Sequence, residues 1–120
     1  MKKGETKMDC LFCKIIDGEI PSKKVYEDEK VYAFHDISPA APVHVLIIPK
    51  THIPSANALT AENAAVVGHI FTVAAKIAAD LGIAEKGYRI VNNCGEDGGQ
   101  TVHHLHFHLL GGRSLQWPPG

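Results

Sequence analysis

The sequence predicts an α+β fold: a five-stranded antiparallel sheet with one long and one short helix. Three observations predict it. Apolar segments of strand length follow one another along the chain, with a single helical segment between the third and the fourth. Only one stretch has the length and spacing of an extended helix. The 120 residues amount to a single domain, large enough for a core that needs no disulfide staples. A strict strand–helix alternation, which a doubly wound parallel sheet would need, is missing.

Each element has its own justification. Residues 1–9 are polar and Lys-rich and read as a flexible tail, leaving residues 10–120 as the domain. Residues 10–18 read as a short helical turn, punctuated by Gly18 and Pro21. Residues 25–27 and 31–34 read as a strand pair, with Glu29 and Lys30 at the turn. Residues 36–42 hold Pro39 and Pro42 and read as a loop. Residues 43–48 form a buried strand, ended by Pro49.

Residues 61–81 form the long helix, with Thr60 as its cap and Glu62 in a first turn that favours an acid. Val67, Ile70, Phe71, Ala74, Ile77 and Leu81 recur at helical spacing as its apolar face, and Gly82 stops it. His69 sits at the margin of that face and reads as structural or exposed. Residues 88–92 are a strand. Gly95, Gly98 and Gly99 make the next segment a flexible loop. Residues 101–110 are the last strand, stopped by Gly111 and Gly112. The final Trp117-Pro118-Pro119-Gly120 suits neither helix nor central strand.

Charge and patterning exclude several classes. Twelve Lys and Arg against thirteen Asp and Glu leave a formal charge of −1, so no basic field holds a nucleic-acid backbone. The longest strongly apolar run, residues 45–48, is far too short to span a bilayer. No export signal is recognisable, so the cytoplasm is the expected location. Three cysteines, two of them spaced Cys10-x-x-Cys13, then favour metal or redox chemistry over disulfides.

Eight histidines in 120 residues are the outstanding feature. In a strand, His104, His106 and His108 share one face while Leu105, Phe107 and Leu109 take the other, beneath the helix. A row of imidazoles is a poor core, because each buried ring nitrogen needs a partner. The row therefore reads as a metal site or as a site for attack on phosphorus. Neutral imidazole suits that attack near pH 7, provided its other nitrogen is held as N–H. The adjacent Gly98-Gly99-Gln100-Thr101 could donate backbone N–H groups and a hydroxyl to phosphate oxygens, although it is not a Walker A loop.

The run His104-Leu105-His106-Phe107-His108-Leu109-Leu110 matches the hallmark of the histidine triad (HIT) superfamily in full. The resemblance extends over residues 10–120, through Leu11-Phe12-Cys13-Lys14-Ile15-Ile16, Phe34-His35-Asp36-Ile37-Ser38-Pro39, residues 44–50 and Gly111-Gly112-Arg113. The terminal Trp-Pro-Pro-Gly resembles the Hint branch. That resemblance implies a homodimeric purine nucleoside phosphoramidase, which cleaves the P–N bond of a nucleoside 5′-monophosphate amide. It implies His106 as the nucleophile that forms a nucleotidyl-histidine, His108 on the phosphate and His44 in support. It places Asp36 on the ribose hydroxyls and Phe34 and Ile37 at the base. Asn93, Gly99, Gln100 and Thr101 fall near the phosphate, and Trp117 lies near the partner subunit's site. The role of His103 is open.

In zinc-binding members of the superfamily the Cys pair is completed by two histidines. By that resemblance Cys10, Cys13, His52 and His104 are the four ligands of a structural zinc with no position open for catalysis. A reduced Cys pair packed as small apolar side chains is one alternative, and a disulfide is the other. Two functional alternatives stand beside the phosphoramidase. One is a dinucleoside polyphosphate hydrolase or nucleotidyltransferase using the same nucleophile. The other is a zinc-stabilised nucleotide-binding interaction protein with little turnover.

Overall fold

The computed structural model of the chain describes residues 9–120. The tail assigned to residues 1–9 lies, except for Asp9, outside the described residues. The order is α1 (Leu11–Ile16), β1 (Lys24–Glu27), β2 (Val31–His35), β3 (Val43–Pro49), a 3-10 turn (Ala56–Ala58), α2 (Ala65–Asp80), β4 (Tyr88–Val91), α3 (Gly95–Gly98) and β5 (Phe107–Gly111). The strands form one five-stranded sheet in the order β1-β2-β3-β5-β4. Every neighbouring pair is antiparallel, so the fold is the α+β architecture that the succession of strands predicts.

The sheet separates two apolar layers, because side chains alternate along each strand. On one face Val45, Ile47, Leu105, Phe107 and Leu109 pack under α2. On the other, Tyr32, Phe34, Leu46 and Ile48 pack against Phe12, Cys13 and Ile15 of α1. α1 is only six residues long and begins where the Cys13 backbone N–H donates to Cys10 Sγ at 3.3 Å. The last strand ends tightly. A Cβ at Gly111 would lie 2.7 Å from Ile83 Cδ1, and Gly112 takes φ +93°, a conformation that glycine adopts without penalty.

Several boundaries differ from the expectations. α2 starts at Ala65, not at residue 61, and Thr60 does not cap it. The Thr60 N–H instead donates to Asn63 Oδ1, and the Asn63 amide reaches Ala58 O, which holds residues 60–64 as a turn. The buried face of α2 is Ile70, Val73, Ala74, Ile77 and Ala78, whereas Phe71 and Leu81 are 47% and 36% exposed. Each helical residue is turned about 100° from the one before it, so the face built on Ile70 leaves Phe71 at the margin. His69 is structural: its Nε2 lies 2.7 Å from Asp28 Oδ2, pinning the β1–β2 turn to α2. The Gly-rich segment is a short helix rather than a flexible loop, closed by Gly99 at φ +85°.

The last strand starts at Phe107 rather than at residue 101. Before it, the backbone finds other partners: the Leu105 N–H donates to Ile53 O at 2.6 Å, and the Asn92 amide donates to His106 O at 2.9 Å. The alternation of side chains nevertheless continues back through residue 104. Leu105 belongs to the α2 layer, and the His104 and His106 rings lie edge-on to Phe12 on the other.

Candidate functional site

Two clusters stand side by side on the α1 face of the sheet, and the histidine run connects them. The first joins Cys10, Cys13, His52 and His104, whose ligand atoms all lie within 4.8 Å of one another. Cys10 Sγ is 3.2 Å from His104 Nδ1, and Cys13 Sγ is 3.4 Å from His52 Nδ1 and 3.6 Å from His104 Nδ1. The two Nδ1 atoms are 3.2 Å apart. A tetrahedral zinc with ordinary bond lengths separates sulfur from nitrogen by about 3.6 Å and two nitrogens by about 3.3 Å. The spacings fit such an ion. The outer contact fits as well: His104 Nε2 lies 2.8 Å from Pro49 O, so it carries the proton and leaves the Nδ1 lone pair on the cluster. Burial pushes His104 down to about 4, with His52 and His106 adding to the shift against the Pro49 bond. The imidazole is therefore neutral, as a metal ligand must be. These four residues could hold a metal ion.

The second cluster brings Asp36, His44 and His108 together. One backbone donor orders it. The Ala40 N–H donates to His44 Nδ1 at 3.0 Å. With Nδ1 accepting, the neutral ring carries its proton on Nε2. His44 Nε2–H points at His108 Nδ1 across 2.9 Å and lies 3.5 Å from Asp36 Oδ2. His108 Nδ1 thus accepts, and its proton sits on Nε2, which is buried and has no hydrogen-bond partner among the described residues. His106 is set the opposite way. Its Nδ1 donates to the backbone carbonyl of His104 at 2.7 Å, so its lone pair is on Nε2. Burial lowers the pKa of His106, against the raising effects of the His104 bond and Asp36. It also lowers His44, opposed by Asp36, and takes His108 to about 4, helped by His106 and His44. All three rings are neutral near pH 7.

His106 and His108 open into a cavity of about 270 Å³. Its walls are mostly apolar: Leu11, Phe12 and Ile15 from α1, Ile20 beyond it, and Phe34 and Leu46 from the sheet. Asp36, Ile37 and Thr101 complete the set expected there. Ile37 is 95% exposed and stands at the mouth. Asp36 Oδ1 accepts the Ser38 N–H at 2.8 Å, which holds its carboxylate in place.

Other expected residues lie apart from this cavity. The Gln100 amide is occupied by backbone: Oε1 accepts from the Gly95 N–H, and Nε2 donates to Pro54 O and Val102 O. It braces the loop that carries Thr101. Asn93 and Gly99 belong to the same loop and do not line the cavity. Trp117 is 79% exposed, with the Arg89 guanidinium 5.9 Å from its ring centre. Sequence reasoning missed Asn92, which bonds the His106 carbonyl, and the α1 side chains that wall the cavity. The apolar positions of α1 were visible, but not the side of the sheet on which they pack.

Comparison with known proteins places this arrangement. The model of the HIT domain matches residues 17–115, and the chain belongs to the HIT domain family. Among its relatives, the purine nucleoside phosphoramidase of Escherichia coli (strain K12) is 55% identical over 107 residues, covering 89% of this chain and 90% of that protein. A HIT family hydrolase from Legionella pneumophila matches with a TM-score of 0.91 and 50% identity, over 92% of this chain and 99% of that one. A histidine triad protein from Clostridium difficile matches with a TM-score of 0.90 and 50% identity, over 92% and 96% of the two chains. No helix among the described residues is long and apolar enough to cross a membrane.

Proposed function

We propose that this chain is a hydrolase of purine nucleoside 5′-monophosphoramidates, working through a nucleotidyl-histidine on His106. The observation that carries the reading is the pair of opposed ring settings, with His106 Nε2 bare and His108 Nε2 protonated on one cavity. The name of the E. coli relative supplies the substrate class. In this reading the base lies among Leu11, Phe12, Ile15, Phe34 and Ile37, and Asp36 accepts from the ribose hydroxyls. His106 Nε2 attacks phosphorus and forms an N–P bond. The bond to the amine nitrogen breaks, and that nitrogen keeps the electron pair and takes a proton from solvent. His108 Nε2–H donates to a non-bridging oxygen, where negative charge is concentrated. Water then attacks phosphorus and loses its proton to solvent, and His106 departs with its lone pair restored. Asn93, Gly99, Gln100 and Thr101 act in this reading as the loop beside the phosphate, with the Thr101 hydroxyl as the group in the cavity.

We assign a structural zinc to Cys10, Cys13, His52 and His104. When bound, it supplies a fixed link between the start of α1 and the residue whose carbonyl holds His106. The protein acts as a homodimer in this reading, with the exposed Trp117 shaping the partner subunit's leaving-group space. The substrate is a nucleotide amide, the location is cytoplasmic, and neither nucleic acid nor membrane is a partner.

The test is hydrolysis of an adenosine 5′-phosphoramidate carrying a fluorescent amine, beside a diadenosine polyphosphate at equal concentration. The phosphoramidate is preferred, and His106→Ala abolishes turnover while AMP still binds. Preference for the polyphosphate would move the chain to the rival hydrolase reading. Binding without turnover in the unmodified protein would leave a nucleotide-binding protein.

A further inference from the structure

The cavity has two polar side chains that the proposed reaction does not use, Ser22 and His35, and of these His35 is exposed. Ser22 lines it, on the segment between α1 and β1, next to Ile20 and Pro21. Ser22 Oγ lies 2.7 Å from the hydroxyl of Tyr32, and either oxygen can be the donor. Tyr32 is 8% exposed, and its ring stands 5.9 Å from that of Phe34. Tyr32 and Phe34 sit at alternate positions of β2 on the side that faces α1, and Asp36, just beyond the strand, lines the same cavity as Phe34. The run covers about 13 Å at the ordinary rise per residue. From one end to the other it presents a carboxylate, an aromatic ring and a hydroxyl pair. A nucleoside has the same order: ribose hydroxyls, the flat of the base, then the base edge.

We propose that the Ser22–Tyr32 hydroxyl pair reads the six-position edge of the purine and accepts both an amino and an oxo group there. This rests on the reading of the cavity as a purine nucleotide site. The chemistry follows from the hydroxyl inventory, one proton and two lone pairs each. When Tyr32 donates to Ser22, the Ser22 proton is left to donate to a six-oxo group. When Ser22 donates to Tyr32, a lone pair of Ser22 Oγ accepts from a six-amino group. The change is a rotation of two hydrogens, and no heavy atom moves. A purine without a six-substituent gains nothing from either setting.

The experiment is equilibrium binding of AMP, GMP and purine riboside 5′-monophosphate to the whole protein. Three forms are compared: unmodified, Ser22→Ala, and Ser22→Ala with Tyr32→Phe, which leaves no buried hydroxyl unpaired. The unmodified protein binds AMP and GMP within a few-fold of each other, and both about five- to tenfold more tightly than the third ligand. Both variants lose that advantage, and their affinity for purine riboside 5′-monophosphate stays the same. An equal loss for all three ligands, or none, overturns the proposal while the nucleotide reading stands. A loss confined to AMP or to GMP overturns the two-way setting. If the unmodified protein binds none of the three, the nucleotide reading falls and takes this inference with it.

Discussion

Replacing His44 by Phe keeps a ring at that position but deletes the donor that faces His108 Nδ1 at 2.9 Å. The effect on stability is small. Ala40 is exposed, so water can take its N–H, and the loss reduces to about one hydrogen bond, roughly 1 kcal/mol. For a chain of 120 residues the entropy of unfolding is about 0.25 kcal/mol/K, which converts this to a fall of about 4 °C in Tm. The effect on catalysis is larger. Without His44, the His108 proton can occupy either nitrogen and the ring is no longer held. Each 1.4 kcal/mol is tenfold in rate, so weakening the donor by that amount lowers kcat about tenfold. Removing the donor altogether, with His108→Ala, costs about 10²–10³ by the scale of a lost oxyanion donor. KM changes little, because the donor gains most as charge develops on the phosphoryl oxygens. His44→Gln puts an amide N–H near the lost Nε2 and recovers most of the rate. Steady-state hydrolysis of the fluorescent phosphoramidate, with thermal unfolding of each variant, measures all of this. The reasoning is refuted if His44→Phe keeps kcat within twofold, or if His44→Gln falls as far as His44→Phe.

Two further predictions follow from the same geometry. Elemental analysis of protein purified without chelator finds about one zinc per chain, and Cys10→Ala with Cys13→Ala removes it; equal zinc in both forms would refute the ligand set. Acid behaviour follows from the buried rings: His108 has a native pKa of about 4, below the ordinary 6.5, so the unfolded chain takes its proton first. Stability is therefore full above pH 6.5 and declines as pH falls from there toward 4, whereas the half-point of kcat/KM lies below 6.5, because burial lowers His106 and keeps its lone pair available. A stability curve flat down to pH 4, or a rate that halves at 6.5, would contradict this.

Much of the site was legible because a period of two is a strong geometric statement. Once His104, His106 and His108 are placed on one face, the apolar residues between them must meet α2, and they do. The extent of the strand was not legible. Residues 104–106 keep the extended alternation but bond to Ile53 and Asn92, and a side-chain pattern does not reveal a backbone partner. The start of α2 was not legible for a related reason: a capping residue at Thr60 does not reveal that the backbone closes as a turn over residues 60–64 before the helix begins at Ala65. Helical spacing puts Phe71 on the apolar face beside Ile70, but the turn that buries Ile70 leaves Phe71 at the margin and half exposed. That Cys10, Cys13, His52 and His104 come together was legible only through the family resemblance. Cys10 and Cys13 lie 94 and 91 residues from His104, and spacing alone cannot bring them together.

The same residue type, repeated at alternate positions, ends up with its proton on Nε2 at His104 and His108 and on Nδ1 at His106, and the backbone and side-chain neighbours of each ring decide which. His104 and His106 each have a backbone carbonyl beside one ring nitrogen, Pro49 O at Nε2 and His104 O at Nδ1. A carbonyl only accepts, so it draws the proton to that nitrogen and bares the other. The bare atom is therefore Nδ1 on His104, facing the cysteines, and Nε2 on His106, facing the cavity. His108 meets a donor instead of an acceptor, because His44 is itself fixed by the Ala40 N–H. Its Nδ1 must accept, and its Nε2 presents a proton where His106 presents a lone pair. Attack on phosphorus needs both, a base to form the bond and a donor for the charge that results. The triad supplies the rings, and the carbonyls of Pro49 and His104, the Ala40 N–H and His44 assign the protons. A chain with the same seven-residue run but no acceptor at the His44 position for that backbone N–H would have the rings without the assignment. The measured distance between the activities of His44→Phe and His44→Gln is the size of that assignment.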